Sequence, residues 1–167
     1  MQKNTHTRSL KRWIYFLWIP TALLVLVDEW IKYLALERLP SEGDLLNPGI
    51  LELAIHQNFG IAFNIPFKMP IIIAVSILIG IALIHSGWKN RNLHPDITFS
   101  SFLIVLGAIG NLYDRIIYGF TVDYLILFGR SAINISDCII IAGVILLLFA
   151  SRRQKKKEQI DKTKKIP

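Results

Sequence analysis

The sequence predicts an all-α membrane bundle: four transmembrane helices with both termini cytoplasmic (N-in/C-in) and a small extracytoplasmic β-element between helices 1 and 2. Three observations lead there. Apolar residues form 53% of the 167-residue chain, giving a mean hydropathy of +0.45, above the usual balance of a soluble domain. They are gathered into long blocks. The basic residues sit mainly at the two ends. No repeat or composition break divides the chain, so residues 1–167 read as a single membrane domain.

A bilayer core about 30 Å thick takes roughly 20 residues of helix. The first block, residues 13–36, is apolar until Asp28 and contains Pro20, which spanning helices tolerate. Its basic start resembles a secretory signal. Its length, the lack of a small-x-small cleavage site, and Asp28 and Lys32 predict a retained helix instead. The second block, residues 69–85, is essentially uncharged (IIIAVSILIGIALI). The third, residues 97–112, is shorter and ends in small residues (GAIGNL). The fourth spans residues 132–150 (AINISDCIIIAGVILLLFA).

Charge sets the direction. Of 19 Lys and Arg, 12 lie in the tails, residues 1–12 and 151–167, and Lys89 and Arg91 fall in the loop after the second block. With the amino terminus inside, 14 of the 19 are cytoplasmic, leaving Lys32, Arg38, Lys68, Arg115 and Arg130 elsewhere. The positive-inside rule therefore selects N-in, C-in. The tails are expected to lie against anionic membrane lipids. The net charge of +7 is not read as nucleic acid binding, because no basic stripe pairs with aromatics on a folded surface.

The longer outer connection carries the β-element. Leu51, Leu53 and Ile55 alternate with Glu52, Ala54 and His56, a strand-like period, after a turn signal at Asn47-Pro48-Gly49. A small sheet on the outer membrane surface is the simplest reading.

Ionisable groups within such blocks are costly and usually face the bundle interior. Asp28 and Lys32 lie in the outward half of the first helix. Asp114 and Arg115 follow the outward end of the third, Asp123 lies in the outer connection, and Asp137 is about one and a half turns into the fourth. All converge at one level. Several have structural readings as well. Asp28 and Lys32 are spaced to pair on one helix face, Asp114 and Arg115 can cap the third helix, and Gly107, Gly110 and Asn111 suit close helix contact. Asp123 alone would be an ordinary loop acid. Asp137 resists a bland reading, since it sits within an apolar helix. No HExxH, phosphate-binding loop or dinucleotide fingerprint occurs, and His6, His56, His85 and His94 are scattered, so no metal and no cofactor are expected. Cys138 is the single cysteine, which excludes an internal disulfide. Carboxylate chemistry remains, beside two alternatives: a small proton-coupled membrane carrier and a non-catalytic assembly subunit.

At these residues the chain resembles the lipoprotein signal peptidases (signal peptidase II). The family's Asp four residues before a Lys appears as DEWIK, Asp28 to Lys32. Its Asn-x-Gly box appears as NFGIAF, Asn58 to Phe63. Its long third motif appears as GAIGNLYDRIIYGFTVDY, Gly107 to Tyr124. Its last, usually Asn-x-Ala-Asp-Ser, appears as NISDC, Asn134 to Cys138, with Ser136 and Cys138 in place of Ala and Ser. The resemblance implies a bacterial inner-membrane aspartic endopeptidase with Asp123 and Asp137 as its catalytic pair. Asp28, Lys32, Asn58, Gly60, Gly107, Asn111, Asp114, Arg115 and Asn134 would shape the site or bind substrate. It implies a diacylglyceryl prolipoprotein as substrate, cut just before the lipidated cysteine near the extracytoplasmic face; a monomer is expected. The interval from Asp123 to Asp137, 14 residues, requires residues 124–131 to form a tight surface turn.

Overall fold

The structure, a computed structural model, describes residues 16–44, 49–61 and 65–163. The amino-terminal tail, the start of the first helix at residues 13–15, the Asn47-Pro48 turn, Phe63 and the last four residues lie outside the described residues.

Four long helices carry the chain: α1 (Trp18–Arg38), α2 (Met69–Asn90), α3 (Pro95–Ile117) and α4 (Ile135–Thr163). Proline starts α2 and α3, at a position where its missing N–H costs nothing. α1 stops at Arg38 because Leu39 precedes Pro40 and takes an extended conformation, ψ 148°. Among the described residues, three helices are long and apolar enough to cross a membrane by length and composition: Met69–Asn90, Pro95–Ile117 and Ile135–Lys156. α1 carries Asp28, Glu29 and Lys32 and does not join that group.

α3 is the central helix. It packs against α1, α2 and α4 and buries residues from Ile97 to Asp114, whereas α2 buries only Ile72 and Gly87. The reason is composition: Ser100, Ser101, Gly107 and Gly110 let neighbouring backbones approach. At Gly107 a β-carbon would fall 2.7 Å from the Ser136 carbonyl oxygen of α4. The apolar faces of α1, α2 and α4 point outward, with Leu26 65%, Leu78 65% and Leu148 56% exposed, as helices do in a hydrocarbon solvent.

Five strands follow the helix ends. β1 (Leu51–Asn58) pairs antiparallel with β4 (Thr121–Leu127), and β4 with β5 (Ser131–Ile133); β2 (Gly60–Ile61) and β3 (Ile65–Pro66) form a separate two-stranded ribbon. His56 stands opposite Asp123 and Asn58 opposite Thr121, with a bulge between Leu53 and His56. The bulge breaks the expected alternation. Leu51 and Leu53 remain exposed while Ala54 and Ile55 are both buried.

Four expectations need correction. The β-element is not confined to the segment between the first two helices, because its central strand β4 comes from the connection between α3 and α4. Residues 124–131 are therefore not a surface turn; the reversal is made at Phe128 and Gly129, φ 52° and 62°. α3 runs to Ile117, so Asp114 and Arg115 sit inside its last turns rather than after it. α4 begins at Ile135, not 132, placing Asp137 in the first turn, and it continues to Thr163 through much of the basic tail.

Candidate active site

The site is built around the start of α4. The first four N–H groups of a helix have no internal partner, and here each finds one. Ile135 N and Ser136 N donate to the Asp28 carboxylate of α1, at 3.1 and 3.0 Å. Asp137 N donates to Asn134 Oδ1 at 2.8 Å, and Cys138 N makes the first ordinary helical bond, to Asn134 O at 3.3 Å. Asp137 Oδ2 accepts in return from Asn134 N at 3.4 Å. Asn134 and Asp137 thus form a reciprocal capping box, which fixes the Asp137 side chain on the first turn.

Asp28 is held from several directions. Tyr124 Oη donates to it at 2.7 Å and Ser136 Oγ at 2.6 Å, while Lys32 Nζ lies 3.3 Å away. Lys32 is 1% exposed and pairs more closely with Asp114 of α3, at 2.8 Å, and with Glu29 at 3.0 Å. The expected Asp28–Lys32 pair exists, but Lys32 serves three carboxylates. Its removal would leave them buried without a counter-charge. The other Asp114 contact is Val122 N at 3.1 Å, which ties strand β4 to α3. Arg115 does not hold Asp114. Its Nη1 donates to Asn111 O at 3.3 Å, and its Nε is buried without a hydrogen-bond partner among the described residues.

β4 delivers the second carboxylate. Asp123 is 1% exposed and accepts from Asn58 Nδ2 at 3.0 Å and Asn134 Nδ2 at 2.7 Å. Asn134 Nδ2 also approaches Asn111 Oδ1 at 3.1 Å, and Asn111 Nδ2 donates to Asp137 Oδ1 at 2.7 Å. Asn134 and Asn111 therefore join Asp123 and Asp137 in one network. Burial, and then the neighbouring Asp137 charge, pushes the Asp123 carboxyl up to about 7; hydrogen bonds from Asn58 and Asn134 and the facing His56 oppose this. His56 itself pairs with Glu42, Nδ1 to Oε1 at 2.6 Å.

A cavity of about 520 Å³ opens beside this network, between α2, α3 and α4. Asn58, Asn111, Arg115 and Asp137 form its polar end, and Ala108, Ile140 and Ile141 part of its apolar wall. Asp123 is not on the wall, but Asn58, which is, donates to it.

The predicted residues thus converge, by different routes. Asp28, Lys32, Asn111, Asp114, Asp123, Asn134 and Asp137 share one network. Asn58 reaches it from β1, and Gly60 N donates to Asn58 Oδ1 at 3.0 Å, holding that side chain in place. Gly107 packs against α4, and Arg115 lines the cavity. Sequence reasoning missed Glu29 and Tyr124 and treated Ser136 only as a departure. Tyr124 carried a signal: Val122, Tyr124 and Ile126 alternate between Gly119 and Gly129, a strand pattern.

Comparison with known proteins gives a consistent result. A family model described as "Signal peptidase (SPase) II" matches residues 20–153. The chain is 35% identical over 144 residues to the lipoprotein signal peptidase of Syntrophomonas wolfei, covering 85% of this chain and 96% of that one. It is 31% identical over 141 residues to that of Halothermothrix orenii, covering 83% and 97%. A solved structure described as a bacterial membrane enzyme superposes with a TM-score of 0.71 at 29% identity, covering 83% of this chain and 89% of that one.

Proposed function

The chain belongs to the signal peptidase II family, and on that premise we propose that it removes the signal peptide from diacylglyceryl-modified bacterial prolipoproteins, using Asp123 and Asp137 to hydrolyse the bond before the lipidated cysteine. The observation that carries this reading is the joining of the two carboxylates through Asn134, whose Nδ2 donates to Asp123 and whose backbone N–H donates to Asp137.

Two carboxyls that repel one another in a buried site share a proton. Asp123, lifted to about 7, holds it near neutral pH and donates a hydrogen bond to the scissile carbonyl. Asp137, open to the cavity, takes a proton from the attacking water. The tetrahedral intermediate then collapses as the cysteine amine leaves with a proton, without a covalent enzyme intermediate. Asn58 lines the cavity and donates to Asp123, so the scissile carbonyl competes with the Asn58 amide for that carboxyl. The cavity's apolar wall suits the signal helix and acyl chains, and Arg115 suits a polar group at the lipid boundary.

In this reading α1 is the fourth span. Its charges are tolerated because Asp28 and Lys32 face the bundle and pair there. Both termini are cytoplasmic, the whole chain is one membrane domain of the bacterial inner membrane, the strands lie at the extracytoplasmic face, and the protein works as a monomer. The test is cleavage of a diacylglyceryl precursor and its unlipidated twin by purified protein and by Asp123→Asn and Asp137→Asn. Loss of activity in both folded variants, with cleavage of the lipidated form only, is the expected result. A variant cleaving at the wild-type rate would remove its carboxylate from the mechanism. Transmembrane proton flux without cleavage would favour a carrier.

A further inference from the structure

On the opposite side of α3 from the catalytic cavity lies a second recess, about 490 Å³, between α1 and α3. Val25, Leu26 and Ile109 line its apolar part, and Trp30, Tyr33 and Tyr113 its aromatic part, with Glu29 among them. Glu29 is the unusual member. Lys32 holds its Oε1 at 3.0 Å, yet 21% of the side chain remains exposed toward the recess. A β-carbon at residue 110 would lie 2.9 Å from that same oxygen, so Gly110 leaves the space in which the carboxylate sits.

Charge count makes the recess selective. Asp28, Glu29 and Asp114 converge on a single ammonium, that of Lys32, leaving an excess of carboxylate in a low-dielectric region. α3 ends here, at Tyr118, so the negative end of its dipole points into this region. Trp and Tyr rings attract cations on their faces and favour the depth of lipid headgroups. A carboxylate, ring faces and an aliphatic trough together match a molecule with a compact cation and hydrocarbon chains.

We propose that the recess between α1 and α3 binds a membrane phospholipid whose headgroup carries a primary ammonium, with Glu29 accepting its N–H donors and an acyl chain lying along Leu26 and Ile109. This site is separate from the catalytic cavity and does not depend on the assignment of Asp123 and Asp137.

The test is native mass spectrometry of the purified chain titrated with phosphatidylethanolamine, its N-acetylated derivative and phosphatidylglycerol, all with identical acyl chains. The expected preference for the ammonium lipid is about tenfold, the yield of one charge-assisted contact with ring support. Glu29→Gln is expected to bring the three lipids within about twofold of one another. Ile109→Trp, which fills the trough without touching charge, is expected to weaken all three and serves if Glu29→Gln does not fold. Equal binding of the ammonium and N-acetyl lipids by the wild type would overturn the proposal. So would a preference that survives Glu29→Gln, binding undiminished in Ile109→Trp, or lipid-competed dimers lost in Ile109→Trp, which would make the occupant a second copy of the chain.

Discussion

Replacing Asn134 separates helix capping from catalysis. Its side chain caps α4 through Oδ1, at 2.8 Å from Asp137 N, and holds Asp123 through Nδ2 at 2.7 Å. Serine caps helices as well as asparagine does, but its hydroxyl is too short to span from the cap to strand β4 as well. Asn134→Ser is therefore expected to keep the fold and lose the bridge. A hydrogen bond to an ionisable group contributes roughly 1.5–3 kcal/mol, so kcat/KM on a lipidated precursor should fall by about 10- to 100-fold. Asn134→Ala loses the cap as well, about 1 kcal/mol more, and leaves the N–H of Asp137 without its acceptor. Its thermal midpoint in detergent should lie below that of Asn134→Ser, with activity equally reduced. Paired measurements of kcat/KM and thermal midpoint decide the matter. Wild-type activity in Asn134→Ser, or equal stability of the two variants, would refute the reasoning.

Four further outcomes follow from the same geometry. The Asp123 carboxyl, raised to about 7, is protonated below that pH and ionised above it, so kcat/KM should decline as pH rises through about 7. The same shift favours folding below the unfolded-state pKa, near 4, and that contribution is lost between about 4 and 7; Asp123→Asn should flatten this part of a stability-versus-pH curve. Lys32→Met strands three carboxylates and should cost about 3–5 kcal/mol, read as a lower thermal midpoint. Gly107→Ala places a methyl 2.7 Å from the Ser136 carbonyl oxygen and should cost about 1–3 kcal/mol, because backbone cannot swing aside; a neutral result in a thermal scan would mean that α3 and α4 can separate freely.

What was legible in the sequence was what depends on local spacing. Asp28 and Lys32 declare themselves as an i, i+4 pair, whereas Asn134 and Asp137, three apart, cap a helix whose start the apolar run puts three residues too early. The long apolar runs give the helices, and small residues at 107 and 110 mark the closest packing. What was hidden depends on pairings distant in sequence. Nothing near Lys32 says that Asp114 will be its closer partner. Nor does Asp28 announce that it will cap α4 more than a hundred residues away. β4 was hidden for a different reason: an acid in its middle made Thr121 to Leu127 look like a loop, although its alternation was present. Likewise α3 was read as ending at the first polar cluster. Those polar residues face the bundle, where they bond to one another, so they extend the helix rather than end it.

The strand is also what makes a paired-carboxylate site possible in so small a bundle. Within one helix, residues 14 apart are almost four turns, about 21 Å, from each other. Asp123 and Asp137 could not meet if their segment were continuous helix. The chain instead turns back at Phe128 and Gly129, and β4 is held in place between β1 and β5, at Val122 N by Asp114, and at Tyr124 by Asp28. Asp28 and Asp114 are in turn held by Lys32. The buried charges that seem wasteful for a membrane helix therefore fix the strand carrying one carboxylate to the helix end carrying the other. Weakening Lys32, Asp28 or Asp114 should degrade activity through misplacement of Asp123 relative to Asp137, even though none of the three need touch the substrate.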